Sequence, residues 1–431
     1  MVAPAPADAA PPPTIAPAPA APAPKEAAAP PSSKDDKPEH KKGGEAGPHP
    51  DKDRKKTPGH EHPRGPEEPP TRPAPPPRPG PNNPLRRPPP DSAPLPPVPK
   101  LQRRVLNMAG LPIFIYGMAD LTPPANDTSR PIHVNIHLNG RLHSANDEDP
   151  LVRVLYGNIR AHMVADRART QKDLLMISFD ARDHGKRTTN RKKQDGWCCG
   201  NPTFGLDQYA MILGGAQDVS LIIDLLPPYL FPMGDRHIAS WSVSGRSLGG
   251  HTAWHVLADE PRVKTAAVLI GMPDYTKLLK GRANETHKPY APPYVPHSLL
   301  QLINRTDPSK KPYDSHNPRH NPFWGKHIFT ASGAIDPLVN FNYSREFLRH
   351  LVLGPRKSKL ARESLEVFVQ PHTEHQATNE MLELASRWIY RWSIGKGTAD
   401  VEPPPKLPTP TFARPHRMRE SLTHTKLPTT I

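Results

Sequence analysis

The stretch SGRSLGG at residues 244–250 decides the fold of this chain. An apolar run, HIASWSV at residues 237–243, comes before it, and a helix-like run, HTAWHVLA at residues 251–258, comes after it. The order is therefore a strand, a Gly-x-Ser-x-Gly turn centred on Ser247, and a helix. A serine on so sharp a turn projects its hydroxyl away from the sheet, and only small residues two positions before and after it avoid a clash. The helix start adds free N–H groups and a positive dipole end, so the pattern predicts an exposed nucleophile beside an anion site.

Composition divides the 431-residue chain into three parts. The first 100 residues hold 33 of the 62 prolines and few large apolar residues, and residues 395–431 have a similar composition. Such segments bury too little apolar surface to offset the entropy of ordering, so we predict a disordered proline-rich arm over residues 1–100 and a disordered basic tail over residues 395–431. The remaining residues, 101–394, are numerous enough for one large domain with a substantial core.

The net charge of +15 is spread over all three parts. The arm holds 15 basic and 12 acidic residues, the tail holds 6 and 3, and the domain holds 36 and 27. The basic residues form no long stripe with interleaved aromatic residues, which a nucleic-acid surface requires. We therefore expect no nucleic-acid partner.

Cysteine content and the apolar runs indicate the cellular compartment. Cys198 and Cys199 are adjacent, so they cannot join distant parts of the fold, and we expect plain thiols near a long loop. The first residues lack the basic and apolar regions of a signal peptide, and no apolar run approaches the length that spans a bilayer. We expect a cytoplasmic protein with no membrane span.

Apolar runs alternate with helical patterns from residue 111 onward. The predicted strands cover residues 113–116, 132–138, 174–179, 237–243, 265–270, 327–331 and 365–369. The predicted helices cover residues 151–168, 208–226, 251–258, 343–353 and 376–392. This alternation predicts an α/β fold whose mostly parallel central sheet is flanked by helices on both faces. In such sheets the functional residues lie at the carboxyl ends of the strands.

Residues 275–325 interrupt the alternation with a segment rich in proline and aromatic residues. An insertion of this length in a compact domain is usually functional or disordered. The aromatic residues favour order. We therefore predict a lid that covers the strand ends.

Two polar residues follow the last two predicted strands. Asp336 comes after the strand at 327–331, directly before a proline that cannot continue a ladder. His375 lies in the loop between the strand at 365–369 and the final helix. Ser247, Asp336 and His375 therefore occur in the order nucleophile, acid, histidine, which is the order used in the α/β-hydrolase fold.

Residues 110–394 resemble an α/β-hydrolase of the serine-esterase and prolyl-oligopeptidase-like type. Besides the serine turn, the matching motifs are GAIDPLV at 333–339, TNEM at 378–381 after His375, and FDARDHGKR at 179–187. HLNG at 137–140 resembles the oxyanion loop of the family, although Leu138 stands where glycine is usual. The resemblance covers the core of the chain and neither tail.

The resemblance implies a catalytic triad and an acyl-enzyme route. His375 would take the proton of Ser247, and Asp336 would hold the imidazole in the productive tautomer. The backbone N–H groups of Leu248 and Asn139 would bind the oxyanion. The implied activity is that of a serine hydrolase on a carboxylic ester or related small acyl compound, with no cofactor and no metal.

Rival residues exist for two of these roles. His372 lies three residues before His375, and Asp274 follows the strand at 265–270, where some hydrolases place their acid. The start of the last helix favours His375 as the base. The Asp-Pro-Leu-Val context favours Asp336 as the acid.

Other polar residues near the motifs have structural interpretations. We expect Ser242 and Ser244 to be structural, because they lie in the strand or at its end. We expect His184 to stabilise a loop through a hydrogen bond. His251 and His255 have the spacing of metal ligands, but no glutamate adjoins them, so we expect packed histidines.

Two other function classes remain open. One is a peptidase of the prolyl-oligopeptidase-like type, although the absence of a propeller domain before the core favours an esterase. The other is a binding or scaffold protein, since Pro94-Leu95-Pro96-Pro97 is of the kind that SH3- and WW-type domains bind. Aromatic residues of the lid favour a semi-apolar substrate, whereas Lys277, Lys280 and Arg282 leave room for an acidic one.

Overall fold

The computed structural model describes residues 100–122, 130–167 and 170–395. The predicted arm and tail lie outside the described residues, apart from Lys100 and Gly395. The expected docking motif at residues 94–97 lies outside them as well and stays a prediction.

An eight-stranded sheet forms the centre of the described residues, with the spatial order β1-β2-β4-β3-β5-β6-β7-β8. β1 and β2 form an antiparallel pair, β2 is antiparallel to β4, and all other neighbours are parallel. This order is that of the α/β-hydrolase fold, so the predicted fold class is confirmed. The strands are β1 (Arg103–Met108), β2 (Leu111–Tyr116), β3 (Ile132–Leu138), β4 (Asp173–Phe179), β5 (Ile238–Arg246), β6 (Val263–Leu269), β7 (His327–Gly333) and β8 (Leu365–Gln370).

Helices connect the strands and cover both faces of the sheet. They are α1 (Asp149–Ala165), α2 (Phe204–Leu230), α3 (Leu248–Asp259), α4 (Tyr275–Glu285), α5 (His297–Thr306), α6 (Asn342–His350), α7 (Lys359–Glu363) and α8 (Asn379–Ile389). A π-helical turn, Tyr390–Ile394, follows α8. The final helix begins three residues later than its apolar pattern predicts, because the hydroxyl of Thr378 accepts the N–H of Met381 and caps it.

The hydrophobic core lies in two layers, one on each side of the sheet. Residues of α2, α3 and α6 pack on one face, around the fully buried Trp254. Residues of α1 and α8 pack on the other face, around Leu155 and Trp388. The layers fix the sheet between helices, so the ends of its parallel strands keep a constant geometry.

Residues 275–325 form ordered structure with two roles. α4 and α5 join a third apolar cluster that includes Leu248, the residue after the serine. Further along, Tyr313 and the fully buried Phe323 pack against Phe347, with ring centroids 4.2 and 5.7 Å apart. The later part of the segment therefore belongs to the main core. A lid role stays a prediction for α4 and α5.

Among the described residues, α2 is long and apolar enough to cross a membrane by length and composition. Its apolar window is 56% buried inside the structure. Core helices pass the same test.

Candidate active site

The serine turn joins β5 to α3 in a strained conformation. Ser247 has φ 54° and ψ −111°, a combination that residues other than glycine rarely adopt. Its N–H donates to the carbonyl of Leu269 on the neighbouring strand at 2.9 Å. A Cβ atom at Gly245 would collide with the backbone of Gly249, and one at Gly249 would collide with the carbonyl of Leu138. Only glycine fits at these two positions, which explains the sequence pattern around the serine.

The structure brings Ser247, His375 and Asp336 together. Nε2 of His375 lies 2.8 Å from Oγ of Ser247, and Nδ1 of His375 lies 2.7 Å from Oδ2 of Asp336. The three residues follow β5, β7 and β8, which are parallel, so their carboxyl ends meet at one edge of the sheet. This arrangement allows a proton to pass from the hydroxyl to the imidazole while the carboxylate fixes the ring.

Backbone groups hold the carboxylate of Asp336 in place. The side chain is fully buried, and its Oδ1 accepts the N–H groups of Leu338 and Val339 at 2.8 and 2.9 Å. Oδ2 is left for the histidine. Gly333, at the end of β7, lies so close to the carbonyl of Thr373 that a side chain there would displace the histidine loop.

The rivals of these residues lie elsewhere. His372 is exposed and has a positive φ of 53°. Asp274 caps α4, where its Oδ1 accepts the N–H of Lys277 at 3.0 Å. Ser247 therefore contacts His375, and His375 contacts Asp336.

The loop after β3 lies beside the serine turn and carries the expected oxyanion donor, Asn139. The side chain of Asn139 is buried and fully engaged: Oδ1 accepts the N–H of Ala181, and Nδ2 donates to the carbonyls of Gly140 and His143. Leu248 is the first residue of α3, so its N–H has no acceptor within the helix. The N–H of Gly140 donates to Glu148, and those of Asn139 and Leu248 stay the predicted oxyanion donors.

Glu148 is a buried residue that the sequence analysis missed. Its Oε1 accepts the N–H of Gly140 at 3.1 Å and two donors of Arg246, Nε at 3.0 Å and Nη2 at 2.5 Å. Burial raises the pKa of this carboxyl, but Arg246, together with His137 and His143, more than offsets burial, so its pKa lies well below the ordinary value. Glu148 therefore stays ionised and connects the loop after β3 to the residue before Ser247.

A row of buried polar side chains runs along β3 and β5 toward Glu148. At its far end, Nζ of Lys172 donates to Ser240 at 3.0 Å. The ring of His133 bridges Ser240 at 2.9 Å and Ser242 at 2.8 Å. Burial lowers the pKa of His133 to about 3, so its ring is neutral and offers one donor and one acceptor.

The row continues to the carboxyl ends of the two strands. The amide of Asn135 donates to Ser242 and accepts from Ser244, both at 2.8 Å. Nδ1 of His137 lies 3.0 Å from Ser244, and its Nε2 lies 3.6 Å from Glu148. Ser242 and Ser244 are thus fully buried members of a hydrogen-bonded row, which confirms their expected structural role.

The other expected structural histidines also have packing partners. Nε2 of His184 accepts the N–H of Leu142 at 3.1 Å, which confirms the predicted loop-stabilising hydrogen bond. Nδ1 of His251 lies 3.1 Å from the backbone N and O of Met272. His255 makes an edge-on contact with Tyr209. The part of the chain that the structure describes holds no group of three or more His, Cys, Asp or Glu side chains arranged for a metal ion.

Cys198 and Cys199 are free thiols in the loop before α2. Their sulfur atoms lie 3.0 Å apart. Burial raises the pKa of Cys199 to about 11, so this thiol stays protonated at neutral pH.

No family model matches the chain. No curated protein matches its sequence. Among solved structures, the chain is similar to TT1662 from Thermus thermophilus, with 18% identity, a TM-score of 0.46, and coverage of 68% of this chain and 98% of that one. It is similar to the Pyrococcus furiosus esterase Pf2001, with 16% identity, a TM-score of 0.39, and coverage of 68% and 93%. It is also similar to Est1E from Butyrivibrio proteoclasticus with ferulic acid bound, with 11% identity, a TM-score of 0.39, and coverage of 67% and 96%.

Proposed function

We propose that this chain is a serine hydrolase that cleaves a carboxylic ester or a related acyl compound through an acyl-enzyme intermediate. The observation that carries the proposal is the continuous hydrogen-bonded contact from Ser247 through His375 to Asp336. A hydroxyl at that position becomes nucleophilic only if a base accepts its proton, and His375 is the base within reach.

The first half of the reaction forms the acyl-enzyme. Oγ of Ser247 attacks the carbonyl carbon of the ester while its proton moves to Nε2 of His375. The carbonyl oxygen becomes an oxyanion, which accepts hydrogen bonds from the N–H groups of Leu248 and Asn139. The carbon–oxygen bond to the leaving group then breaks, and the alcohol departs with the proton from His375.

The second half releases the acid. A water molecule gives a proton to Nε2 of His375 and attacks the acyl carbon. The bond to Ser247 breaks, and Oγ recovers the proton from His375. The buried carboxylate of Asp336 stabilises the imidazolium in both halves.

Labelling with a fluorophosphonate probe tests the proposal. We expect the full-length protein to be labelled and Ser247→Ala to remain unlabelled, because the probe reacts only with an activated serine. Ser298→Ala removes an exposed hydroxyl on α5 and serves as the control that keeps its label. Equal labelling of Ser247→Ala and the unmodified protein would overturn the proposal.

A comparison of hydrolysis rates distinguishes ester substrates from amide substrates. We expect hydrolysis of para-nitrophenyl esters and slower hydrolysis of aminoacyl amides. Faster cleavage of the amides would favour the peptidase alternative. A cytoplasmic location also stays a prediction.

A further inference from the structure

A cavity of about 450 Å³ lies beside α1, at the edge of the sheet opposite the candidate active site. Its wall includes Asp173, the first residue of β4, and the parallel strand β3 begins opposite this residue at Ile132. Ser247, Asp336 and His375 instead follow the carboxyl ends of parallel strands. The cavity has the volume of a small-molecule site. It is therefore separate from the site of the proposed hydrolase.

Three arginines line this cavity, namely Arg130, Arg160 and Arg167. Arg160 is half-buried on α1, and Arg167 is exposed two residues after α1 ends. Within the part of the chain that the structure describes, the guanidinium groups of Arg160 and Arg167 form no ion pair and no hydrogen bond. A guanidinium group in a concave site offers paired N–H donors that match the oxygens of a phosphate or a carboxylate.

Arg130 is held at the wall by a carboxylate that has no further capacity. Its Nε lies 2.9 Å from Oδ1 of Asp173, and its Nη2 donates to the carbonyl of Thr170 at 3.3 Å. Asp173 also accepts the N–H and the hydroxyl of Thr122, both at 2.9 Å, and Nη2 of Arg236 at 2.6 Å. The two oxygens of Asp173 thus face four donors, which use the acceptor sites of one carboxylate.

Two other acceptors near the arginines have partners of their own. The carboxylate of Asp120, which also lines the cavity, accepts the hydroxyl of Tyr156 at 2.5 Å. The carbonyls of Met163 and Asp166, at the end of α1, accept the hydroxyl of Thr170 at 3.0 Å. The arginines therefore do not serve to cap the end of this helix.

Charge and apolar surface together indicate the kind of ligand. Four guanidinium groups, including that of Arg236 behind Asp173, and two carboxylates leave a net charge of +2 around the cavity. A phosphate monoester carries about −1.5 to −2 at neutral pH, whereas a carboxylate carries only one negative charge. Leu121, Met163 and Val164 add an apolar part to the wall. The cavity thus matches a phosphate that is attached to an apolar group.

We propose that this cavity binds a small phosphate monoester. Its phosphate contacts the guanidinium groups of Arg130, Arg160 and Arg167, and its apolar group packs against Met163 and Val164. The proposal goes beyond the proposed hydrolase and does not depend on it. The ligand is a second ligand of the protein, because the cavity and the serine lie at opposite edges of the sheet.

Calorimetry with phenyl phosphate and benzoate tests the proposal on the full-length protein. The two compounds share the ring and differ in the anion. We expect phenyl phosphate to bind at least about tenfold more tightly, because its larger charge and additional oxygen engage one more charge-assisted hydrogen bond. Equal affinities for the two compounds, or no binding of phenyl phosphate, would overturn the proposal.

Variants assign the binding to the cavity. We expect Arg160→Met and Arg167→Met each to weaken the binding of phenyl phosphate by about tenfold. Arg349→Met is the matched control that keeps the affinity, because Arg349 is exposed on α6, which packs on the other face of the sheet. Arg167 is exposed, so its variant should fold normally. Unchanged affinity in Arg167→Met would contradict the proposal.

The serine variant separates this proposal from the proposed function. We expect Ser247→Ala to bind phenyl phosphate as tightly as the unmodified protein does. Loss of binding in Ser247→Ala would place the ligand at the active site and overturn the second site. Failure of the unmodified protein to hydrolyse any ester would count against the proposed function alone, since binding of phenyl phosphate needs no catalysis.

Discussion

Ser247 occupies a backbone conformation that costs about 1–3 kcal/mol for a residue with a side chain. The surrounding structure maintains it through the hydrogen bond to Leu269 and the close approach of Gly245 to Gly249. Strain of this kind is concentrated at functional sites, where it presents a group in a fixed direction. Here it holds the hydroxyl toward His375.

Substitution of the two candidate acids, Asp336 and Asp274, should have different effects on the rate. We expect Asp336→Asn to lower kcat by about 10⁴-fold, because the amide favours the wrong tautomer of the histidine. Asp274→Asn should leave kcat close to that of the unmodified protein, since Asp274 only caps α4. Steady-state kinetics on a nitrophenyl ester measure both. A large loss in Asp274→Asn with little loss in Asp336→Asn would reverse the assignment.

Lys326 makes stability depend on pH. It is 2% exposed, and its Nζ donates to the carbonyls of Glu260 and Val263. Burial lowers its pKa from 10.5 to about 7, so between these values the unfolded chain binds a proton that the folded protein does not. This contribution to the free energy of unfolding therefore rises with pH in that window, by up to about 1.4 kcal/mol per pH unit.

Lys326→Met isolates that contribution. Between pH 7 and pH 10.5, the free energy of unfolding of the unmodified protein should rise relative to that of the variant. Urea unfolding at several pH values measures this difference. A difference that stays constant across the window would show that Lys326 titrates normally in the folded state.

A site residue can be predicted from the sequence when a local motif fixes its position at the end of a strand. Ser247, Asp336 and His375 each follow an apolar strand in a fixed chain order, so the pattern could predict their meeting at one sheet edge. Glu148 has no such pattern. Its partner lies on another element, and only the tertiary arrangement brings Glu148 to Arg246.

At the scale of elements, β3 shows how a pattern can mislead. Its sequence, IHVNIHL, alternates apolar and polar residues, as a half-exposed strand does, yet all seven residues are buried. The polar residues form hydrogen bonds with serines of β5, on the face of the sheet that α1 and α8 cover. The alternation therefore reflects a buried polar row. The pattern of one strand alone does not distinguish such a row from the polar face of a half-exposed strand.

β1 was not predicted at all. It is an edge strand, and most of its residues, including the half-exposed Val105, are not buried. The continuous apolar runs of the inner parallel strands have no counterpart there. Pairing with β2, whose residues are mainly buried, supplies the order that the sequence of β1 does not specify.

The ion pair between Glu148 and Arg246 should couple the loop after β3 to the serine turn. We expect Arg246→Met to destabilise the protein by about 3 kcal/mol, because it leaves the buried Glu148 carboxylate without its cation, and Glu148→Gln to destabilise it less, because the Arg246 side chain is partly exposed. The double variant should lose less stability than the two single variants lose together, and the difference gives a coupling energy of about 1–3 kcal/mol. Denaturant unfolding of the four proteins in the cycle measures the coupling.

Kinetics of the same variants test the positioning role of Glu148. If its contact with Gly140 sets the oxyanion loop, Glu148→Gln should lower kcat more than it raises KM, since the loop acts on the transition state. Additive stability losses together with an unchanged kcat would show that the pair has no such role.

At the scale of the whole molecule, the parallel strands bring distant parts of the chain to one edge of the sheet. The serine, the acid and the histidine lie more than a hundred residues apart from first to last, yet they form two successive hydrogen bonds. The sequence predicted this sheet because buried parallel strands are continuous apolar runs. It could not predict how residues 275–325 divide between the main core and the cluster beside Leu248, since both parts have the same composition.

The most direct test is a rapid-quench experiment with a para-nitrophenyl ester, followed by mass spectrometry of the digested protein. Our account predicts a burst of nitrophenol and an acyl group on the peptide that contains Ser247, both absent from Ser247→Ala. An acyl group on another residue, or an undiminished turnover rate in Ser247→Ala, would contradict it.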